Sequence, residues 1–412
     1  MVEASIASPE AALAVSEAGA DFLHSTFEFR RPGNDEKKSF EEKTIVSFKD
    51  EMKRKDTCFV GTMRVEGEGK AAEEFMVPYK SRGVENPLKG DEVKKLADRW
   101  AKYGTIEPDA AASLKAVVDH PEWLGKGLKD HYFVLIGAGS AMGPFLKLME
   151  LGANVIALDI PGAWEKKGRP SVWRRLMEVA RKSAGKIIFP LNKKAKDCKN
   201  DDDIVKAAGA NLMTQPADLK NWLLNLPEIK NKKNHVVIGN YTYLDGALHV
   251  KLSVCADAIM KAVYESRPKN KTTLCFLCTP TDMHVVVVHN LRMFMSLPKR
   301  PQKQLNLILT PSSSEVFEQE TTNAVMTAAL LFDIFSPDSA AKPANRGKKS
   351  INNTLELFKY NSFHGGVWRC GYSMDTLGVP SVLIYFLGGP NLFVPLVVAL
   401  SGALSAAIYN AL

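Results

Sequence analysis

Three glycines and one aspartate form the pattern in this chain most suited to chemistry. The run Tyr132-Phe-Val-Leu-Ile-Gly-Ala-Gly-Ser-Ala-Met-Gly-Pro144 sets Gly137, Gly139 and Gly143 directly behind an apolar stretch. Without side chains at 137 and 139, a pyrophosphate can approach the backbone. Amide N–H groups where a helix begins near Ala141 then bond its oxygens, helped by the positive end of the helix dipole. Ser140, Ala141 and Met142 complete the turn, and Gly143 lets the helix pack close to the sheet. A second apolar run, Ala153-Asn-Val-Ile-Ala-Leu-Asp159, ends in an acid about 20 residues after the glycines, where a carboxylate accepts hydrogen bonds from an adenosine ribose. This pattern calls for NAD or NADP. The acid favours NAD, and Lys166, Lys167 and Arg169 pull toward a 2′-phosphate. S-adenosylmethionine fits the same geometry, although Leu135 stands where methyltransferases commonly carry an acid two residues before the first glycine.

Ligands of open α/β sheets sit at the carboxyl ends of the strands. After the run His235–Gly239 come Gly239 and Asn240 on the cofactor side, with Tyr241 and Tyr243 as proton donors. After Thr273–Cys278 come Thr279, Asp282 and His284, of which Asp282 and His284 suit acid or base work. The plainer alternative is that these are polar turn residues capping the next helices. Phe363–Gly371, with its glycine pair, is a loop able to close over a ligand or an ordinary turn. No Walker loop, zinc-protease motif or serine-hydrolase elbow occurs, and Cys275-Phe-Leu-Cys278 has no second CxxC to complete a zinc site, so no metal is expected.

The elements that must hold these residues alternate. Apolar strand runs are read at Tyr132–Ile136, Ala153–Ile160, Lys186–Phe189, Asn211–Thr214, His235–Gly239, Thr273–Cys278 and Leu305–Thr310. Helices are read at Pro144–Leu151, Ser171–Ser183, Ala217–Leu226, Ala247–Ser266 and Glu315–Phe335. In Ala247–Ser266 the residues Leu252, Cys255, Ala256, Ile259, Met260 and Val263 share one face, and in Ser171–Ser183 Val172, Leu176 and Val179 do. Alternating strands and helices imply βαβ crossovers, and continuously apolar strands imply a sheet covered on both faces. The expected fold is a doubly wound, mainly parallel α/β sheet of Rossmann type over residues 129–340. A mostly helical extension is expected over 1–128, and a C-terminal region with an apolar tail over 341–412.

On the glycine turn and the run Leu151-Gly-Ala-Asn-Val-Ile-Ala-Leu-Asp159, the sequence resembles the short-chain dehydrogenase/reductase family. Gly137 and Gly143 match that family's Thr-Gly-x-x-x-Gly-x-Gly turn, with Ala141 at its middle glycine and Ile136 at its threonine. The resemblance extends loosely to about Thr281. It implies that Asp218 stands near the adenine-contacting acid and that Gly239-Asn240 stands at the family's Asn-Asn-Ala-Gly. The family's tyrosine with lysine four residues later is missing: no tyrosine here has lysine at that spacing.

The chain has 412 residues, a net charge of +8, 45% hydrophobic and 24% charged residues, which is a globular composition. Basic residues are scattered over loops beside acidic runs such as Asp201, Asp202, Asp203, which argues against a nucleic-acid partner. The six cysteines are too scattered for a disulfide framework, and no signal peptide is evident, so an intracellular setting is expected. No charged residue follows Asp375, and Leu392–Leu412 is long enough to span a hydrocarbon core, so membrane contact through 392–412 is expected, as is a partner subunit of the same chain if the tail is instead a packing surface. The expected function is an NAD(P)-dependent oxidoreductase acting on a carbonyl or alcohol of a small-molecule, lipophilic substrate. The alternatives are an S-adenosylmethionine-dependent methyltransferase and a non-catalytic nucleotide-binding sensor or scaffold.

Overall fold

The computed structural model describes residues 9–30, 45–78, 80–81, 84–85, 87–103, 108–140, 143–164, 171–242, 244 and 247–276, with seven positions between 324 and 335. The expected strand Leu305–Thr310, the region 341–412 and its tail 392–412 lie outside the described residues.

In chain order the elements begin with helix α1 (Pro9–Thr26), strands β1 (Glu28–Arg30) and β2 (Ile45–Ser47), the short helix α2 (Phe48–Glu51) and strand β3 (Gly61–Glu66). Short strands β4 (Met76–Val77), β5 (Lys80–Ser81), β6 (Val84–Glu85) and β7 (Leu88–Lys89) follow, then helices α3 (Asp91–Tyr103) and α4 (Pro108–Asp119). The alternating core comprises β8 (His131–Ile136), α5 (Phe145–Glu150), β9 (Asn154–Leu158), α6 (Val172–Lys182), β10 (Lys186–Leu191), α7 (Asp201–Ala207), α8 (Pro216–Asn225), α9 (Pro227–Lys230), β11 (His235–Asn240), α10 (Ala247–Glu265) and β12 (Thr272–Phe276).

Six strands form one sheet in the order β12-β11-β8-β9-β10-β3. Five are parallel, and β3 runs antiparallel to β10 at the edge. The chain builds outward from β8 to β10, then returns to lay β11 on the other side of β8. This order, with helices on the flanks, is Rossmann-like and puts a topological switch between β8 and β11. Strand alternation feeds two cores. Val134, Ile136, Ile156, Leu158, Ile188, Val236 and Ile238 pack with Leu219, Trp222 and Leu223 of α8 and with α10. On the other face Phe133, Leu135, Val155, Ala157, Ile187 and Phe189 are equally buried, and Trp173 of α6 lies against Phe189 at 4.7 Å between ring centres.

The buried face of α10 is the one its periodicity indicates: Leu252, Cys255, Ala256, Ile259, Met260 and Val263. In α6 the buried residues are Trp173, Leu176, Met177 and Ala180, so the face is rotated away from Val172 and Val179 because the largest apolar side chain, Trp173, claims the interior.

Two expectations are corrected. Asn211–Thr214 is a turn, not a strand. The Asn211 side chain accepts the Met213 N–H at 2.9 Å, and the Thr214 and Gln215 N–H groups bond the Asn211 carbonyl at 3.2 and 2.8 Å. This curl leads to Pro216 in the first turn of α8, where a missing N–H costs nothing. Residues 1–128 are also not a single mostly helical extension. Residues up to Ala71 belong with Leu128–Phe276 in one compact unit and supply β3, while Ala72–Gly127 belong to a second. The β3 sequence Gly-Thr-Met-Arg-Val-Glu alternates as an edge strand does, half-buried on one side, and its polar residues hide it from a search for apolar runs. Arg64 on β3 makes a forked ion pair with Glu228 at 3.0–3.2 Å, and Trp222 donates to Thr62 Oγ1 at 3.0 Å, which fastens the strand to α8 and α9.

In the second unit β4 pairs with β7 and β5 with β6, all antiparallel. Helix α3 buries Val93, Leu96, Ala97 and Trp100, and α4 buries Ala111, Leu114 and Val117. Lys115 of α4 meets Asp98 of α3 at 2.6 Å.

Candidate functional site

The chain leaves β8 through Gly137, whose φ of +84° lies in the left-handed region that glycine alone enters freely. A Cβ there would stand 3.1 Å from Thr242 Cγ2 and 3.2 Å from Thr242 N, so the turns after β8 and β11 face each other closely across the switch point. The turn is tied down internally. The N–H groups of Gly137 and Ala138 both donate to the Leu158 carbonyl at 2.8 and 3.0 Å. Ser140 N–H donates to the Gly137 carbonyl and Gly143 N–H to the Ser140 carbonyl, each at 3.0 Å. Helix α5 starts only at Phe145, behind Pro144, which has no N–H to offer. The expectation that a helix begins near Ala141 and presents N–H donors from the turn is therefore corrected: at Gly137, Ala138, Gly139, Ser140 and Gly143 those donors already have protein partners. Ala141 and Met142 lie outside the described residues.

Asp159 stands at the carboxyl end of β9, where the spacing puts it. Its Oδ2 accepts the Gly139 N–H at 2.6 Å and its Oδ1 the Ile160 N–H at 2.8 Å. A Cβ on Gly139 would fall 2.5 Å from Val172 Cγ1 and 3.0 Å from Asp159 Oδ2, so this glycine is required by the protein's own close packing as well as by any ligand. Arg175, exposed in the first turn of α6, donates from Nη2 to the Gly139 carbonyl at 2.7 Å. The signal for Arg175 in the sequence is slight: the arginine doublet Arg174-Arg175 on the helix that follows β9.

At the end of β11, Asn240 caps its own turn: its Oδ1 accepts from Thr242 Oγ1 at 2.7 Å and from Thr242 N at 3.2 Å. Tyr241 donates its N–H to the Ile136 carbonyl at 2.8 Å and folds its ring back over Gly239, where a Cβ would lie 2.3 Å from Cε2. The ring also lies 3.6 Å from the position a Gly143 Cβ would take. Only 2% of Tyr241 is exposed, and its hydroxyl points at Cys275 Sγ of β12, 3.6 Å away. Burial, and then the neighbouring thiol, pushes its ionisation well above the usual tyrosine range. Tyr241 thus fills the switch point as a packing residue. Tyr243, Thr279, Asp282 and His284 lie outside the described residues.

Asp218 stands in the first turn of α8, where it is committed elsewhere than to an adenine. It is buried, accepts the Cys58 N–H at 2.8 Å and lies 3.4 Å from Arg54 Nη2. Lys220 donates to the carbonyls of Met52 and Arg54, and Asn221 to those of Arg54 and Asp56. A run of buried polar side chains on α8 is therefore spent on the backbone of residues 52–58.

Among the described residues no group of three or more His, Cys, Asp or Glu is arranged to hold a metal ion. No described helix is long and apolar enough to cross a membrane. Comparison with protein-family models, with curated proteins and with solved structures returns no match.

Proposed function

We propose that this chain binds a nicotinamide dinucleotide, NAD(H) or NADP(H), over the carboxyl edge of its parallel sheet and moves hydride between it and a carbonyl or alcohol. One observation carries the reading. At the switch point between β8 and β11, a left-handed glycine turn and the acid of the neighbouring strand meet through the Gly139–Asp159 hydrogen bond of 2.6 Å. Open α/β sheets take nucleotides in that crevice, with the phosphates over the turn and the adenosine ribose toward the acid. The proton that accompanies hydride transfer would come from Thr279, Asp282 or His284, which follow β12, or from Tyr243 after β11; the short-chain family's tyrosine–lysine relay has no counterpart in the spacing.

The second reading is a nucleotide-binding sensor or scaffold without chemistry. The burial of Tyr241 against Cys275 favours it, because this tyrosine, although it stands at the switch point, has no hydroxyl to offer a substrate.

Thermal stabilisation of the full chain by NAD(H), NADP(H) and S-adenosylmethionine separates these readings, since a ligand that binds the native state raises apparent stability by mass action. Stabilisation by a dinucleotide, followed by a change in nicotinamide absorbance with a panel of lipophilic carbonyls and alcohols, is the expected result. Stabilisation by S-adenosylmethionine alone would move the assignment to methyl transfer. Dinucleotide binding without turnover of any substrate would leave the sensor.

A further inference from the structure

We infer that the nucleotide preferred at this site carries a phosphate on its adenosine 2′-hydroxyl, and that Arg175 reads that phosphate. The inference rests on the dinucleotide reading above and adds a choice between its two forms.

An acid at the end of the second strand ordinarily selects the unphosphorylated ribose: it accepts from the ribose hydroxyls and repels a 2′-phosphate. Asp159 is placed for this but already works within the protein. Each of its oxygens takes a backbone N–H, from Gly139 at 2.6 Å and from Ile160 at 2.8 Å. Hydrogen bonds from backbone N–H groups to a carboxylate are charge-assisted, and they spread its charge into the turn. The carboxylate serves as a clasp joining the turn after β8 to the end of β9.

The side chain that stands over the same spot with donors to spare is Arg175. The Cβ position of Gly139 lies 3.0 Å from Asp159 Oδ2 and 3.4 Å from Arg175 Nη2, so acid and guanidinium flank the same point of the turn. The three arginines of α6 differ in their commitments. Arg174 is paired with Asp202, and Arg181 makes a two-pronged pair with Asp201 at 2.7 Å. Arg175 gives one N–H to the Gly139 carbonyl, and among the described residues it has no ion-pair partner. A guanidinium carries five N–H donors in a planar fork, so four remain, and the fork matches two oxygens of a phosphate monoester. The carbonyl contact orients it, because it holds the guanidinium to the turn that the ribose must approach. Val172 pins the start of α6 against Gly139, which fixes the height of Arg175 above the turn.

The test is a set of binding titrations on the full chain with NADPH, NADH, 2′,5′-ADP and 5′-AMP. The parent should bind NADPH at least about tenfold more tightly than NADH, the scale of one well-placed charged hydrogen-bond pair, and 2′,5′-ADP more tightly than 5′-AMP. Arg175→Ala should bring both ratios close to one. Arg175→Lys, which keeps charge and loses the fork, should fall between. Arg181→Ala on the same helix should leave both ratios at the parent's values. Arg175 is exposed, and circular dichroism melts check that each variant folds. A parent that binds NADH as well as NADPH, or ratios unmoved in Arg175→Ala, overturns the role of Arg175 and leaves the dinucleotide reading intact. Binding of neither dinucleotide overturns that reading and this inference with it.

Discussion

The backbone N–H of Gly139 donates to the carboxylate of Asp159 across 2.6 Å, joining the turn after β8 to the end of β9. Removing the acceptor leaves the part-buried N–H of Gly139 and the exposed N–H of Ile160 without it. Asp159→Ala should therefore cost about 1 kcal/mol of stability, the low end of the loss when a buried donor is orphaned, because water can replace the carboxylate at the exposed Ile160 N–H. Asp159→Asn, which keeps one carbonyl oxygen, should cost less. Urea denaturation measures both; an alanine variant as stable as the parent would show that the clasp contributes nothing to stability.

Glycine at 139 should resist substitution for reasons internal to the protein. A methyl group there meets Val172 Cγ1 at 2.5 Å and the Asp159 carboxylate at 3.0 Å. Gly139→Ala should destabilise by about 1–3 kcal/mol, as overpacking does, and Gly139→Val by more. Gly19 in α1 is the control: nothing lies within 4 Å of its Cβ position, so Gly19→Ala should stabilise by roughly 0.5–1 kcal/mol. Thermal melts of the pair should shift in opposite directions.

Tyr241 should behave as an alkaline trigger for unfolding. Its ionisation in the folded chain is raised by burial above that of an exposed tyrosine, so the unfolded chain loses this proton first as pH rises. The stability that the neutral, buried phenol contributes is complete below the unfolded value near pH 10 and is lost as pH climbs toward the folded value. Tyr241→Phe should move the alkaline unfolding midpoint upward and change stability at pH 7 by less than about 1.5 kcal/mol, since only a weak bond to sulfur disappears. A hundredfold or larger fall in any hydride-transfer rate of this variant would instead make Tyr241 a proton donor.

Two cysteines should be slow to label in the native protein. Burial pushes the Cys255 thiol up to about 12; at Cys58, which is exposed to solvent on one side, partial desolvation followed by the Asp218 carboxylate pushes the thiol up to about 11. Thiolate, the reactive form, is then scarce at pH 8 at both positions. Cys58 should label far more slowly than an unperturbed surface thiol, with a rate that rises through pH 9–11, and Cys255 should label only as fast as the chain opens. Rapid native labelling of Cys255 would contradict its packing in the core beside α10's neighbours.

Cutting the tie between α8 and the N-terminal segment should loosen residues 52–58 before it unfolds the sheet. Asp218→Ala removes the acceptor of the Cys58 N–H and a neighbour of Arg54. Limited proteolysis should then cleave among Lys53, Arg54 and Lys55 sooner than in the parent, with the fragment beginning beyond that point still folded. Unchanged cleavage there would show that Lys220 and Asn221 suffice to hold the segment.

The sequence by itself determined what depends on neighbours along the chain. Continuous apolar runs declared strands that are covered on both faces, and Gly137, Gly139 and Asp159 fell at the ends of the first two. The 3.6-residue period marked the buried face of α10, because such signals are written within a few turns of backbone. Tertiary structure decided everything that depends on partners far away in sequence. Strand β3 is polar enough to read as a loop and becomes the sheet's edge only because β10 offers it a ladder of hydrogen bonds. Asp218 reads as a ligand-binding acid until Cys58 and Arg54, some 160 residues away, both claim its Oδ1. Tyr241 reads as a proton donor until the fold lays its ring over Gly239 and its hydroxyl on Cys275. Arg174, Arg175 and Arg181 look alike on one helix, and only the aspartates of α7 leave Arg175 as the one turned to the glycine turn. A side chain's chemistry belongs to its type, but whether that chemistry is spent on the protein or kept for a ligand is set by which distant groups the fold brings within hydrogen-bond reach.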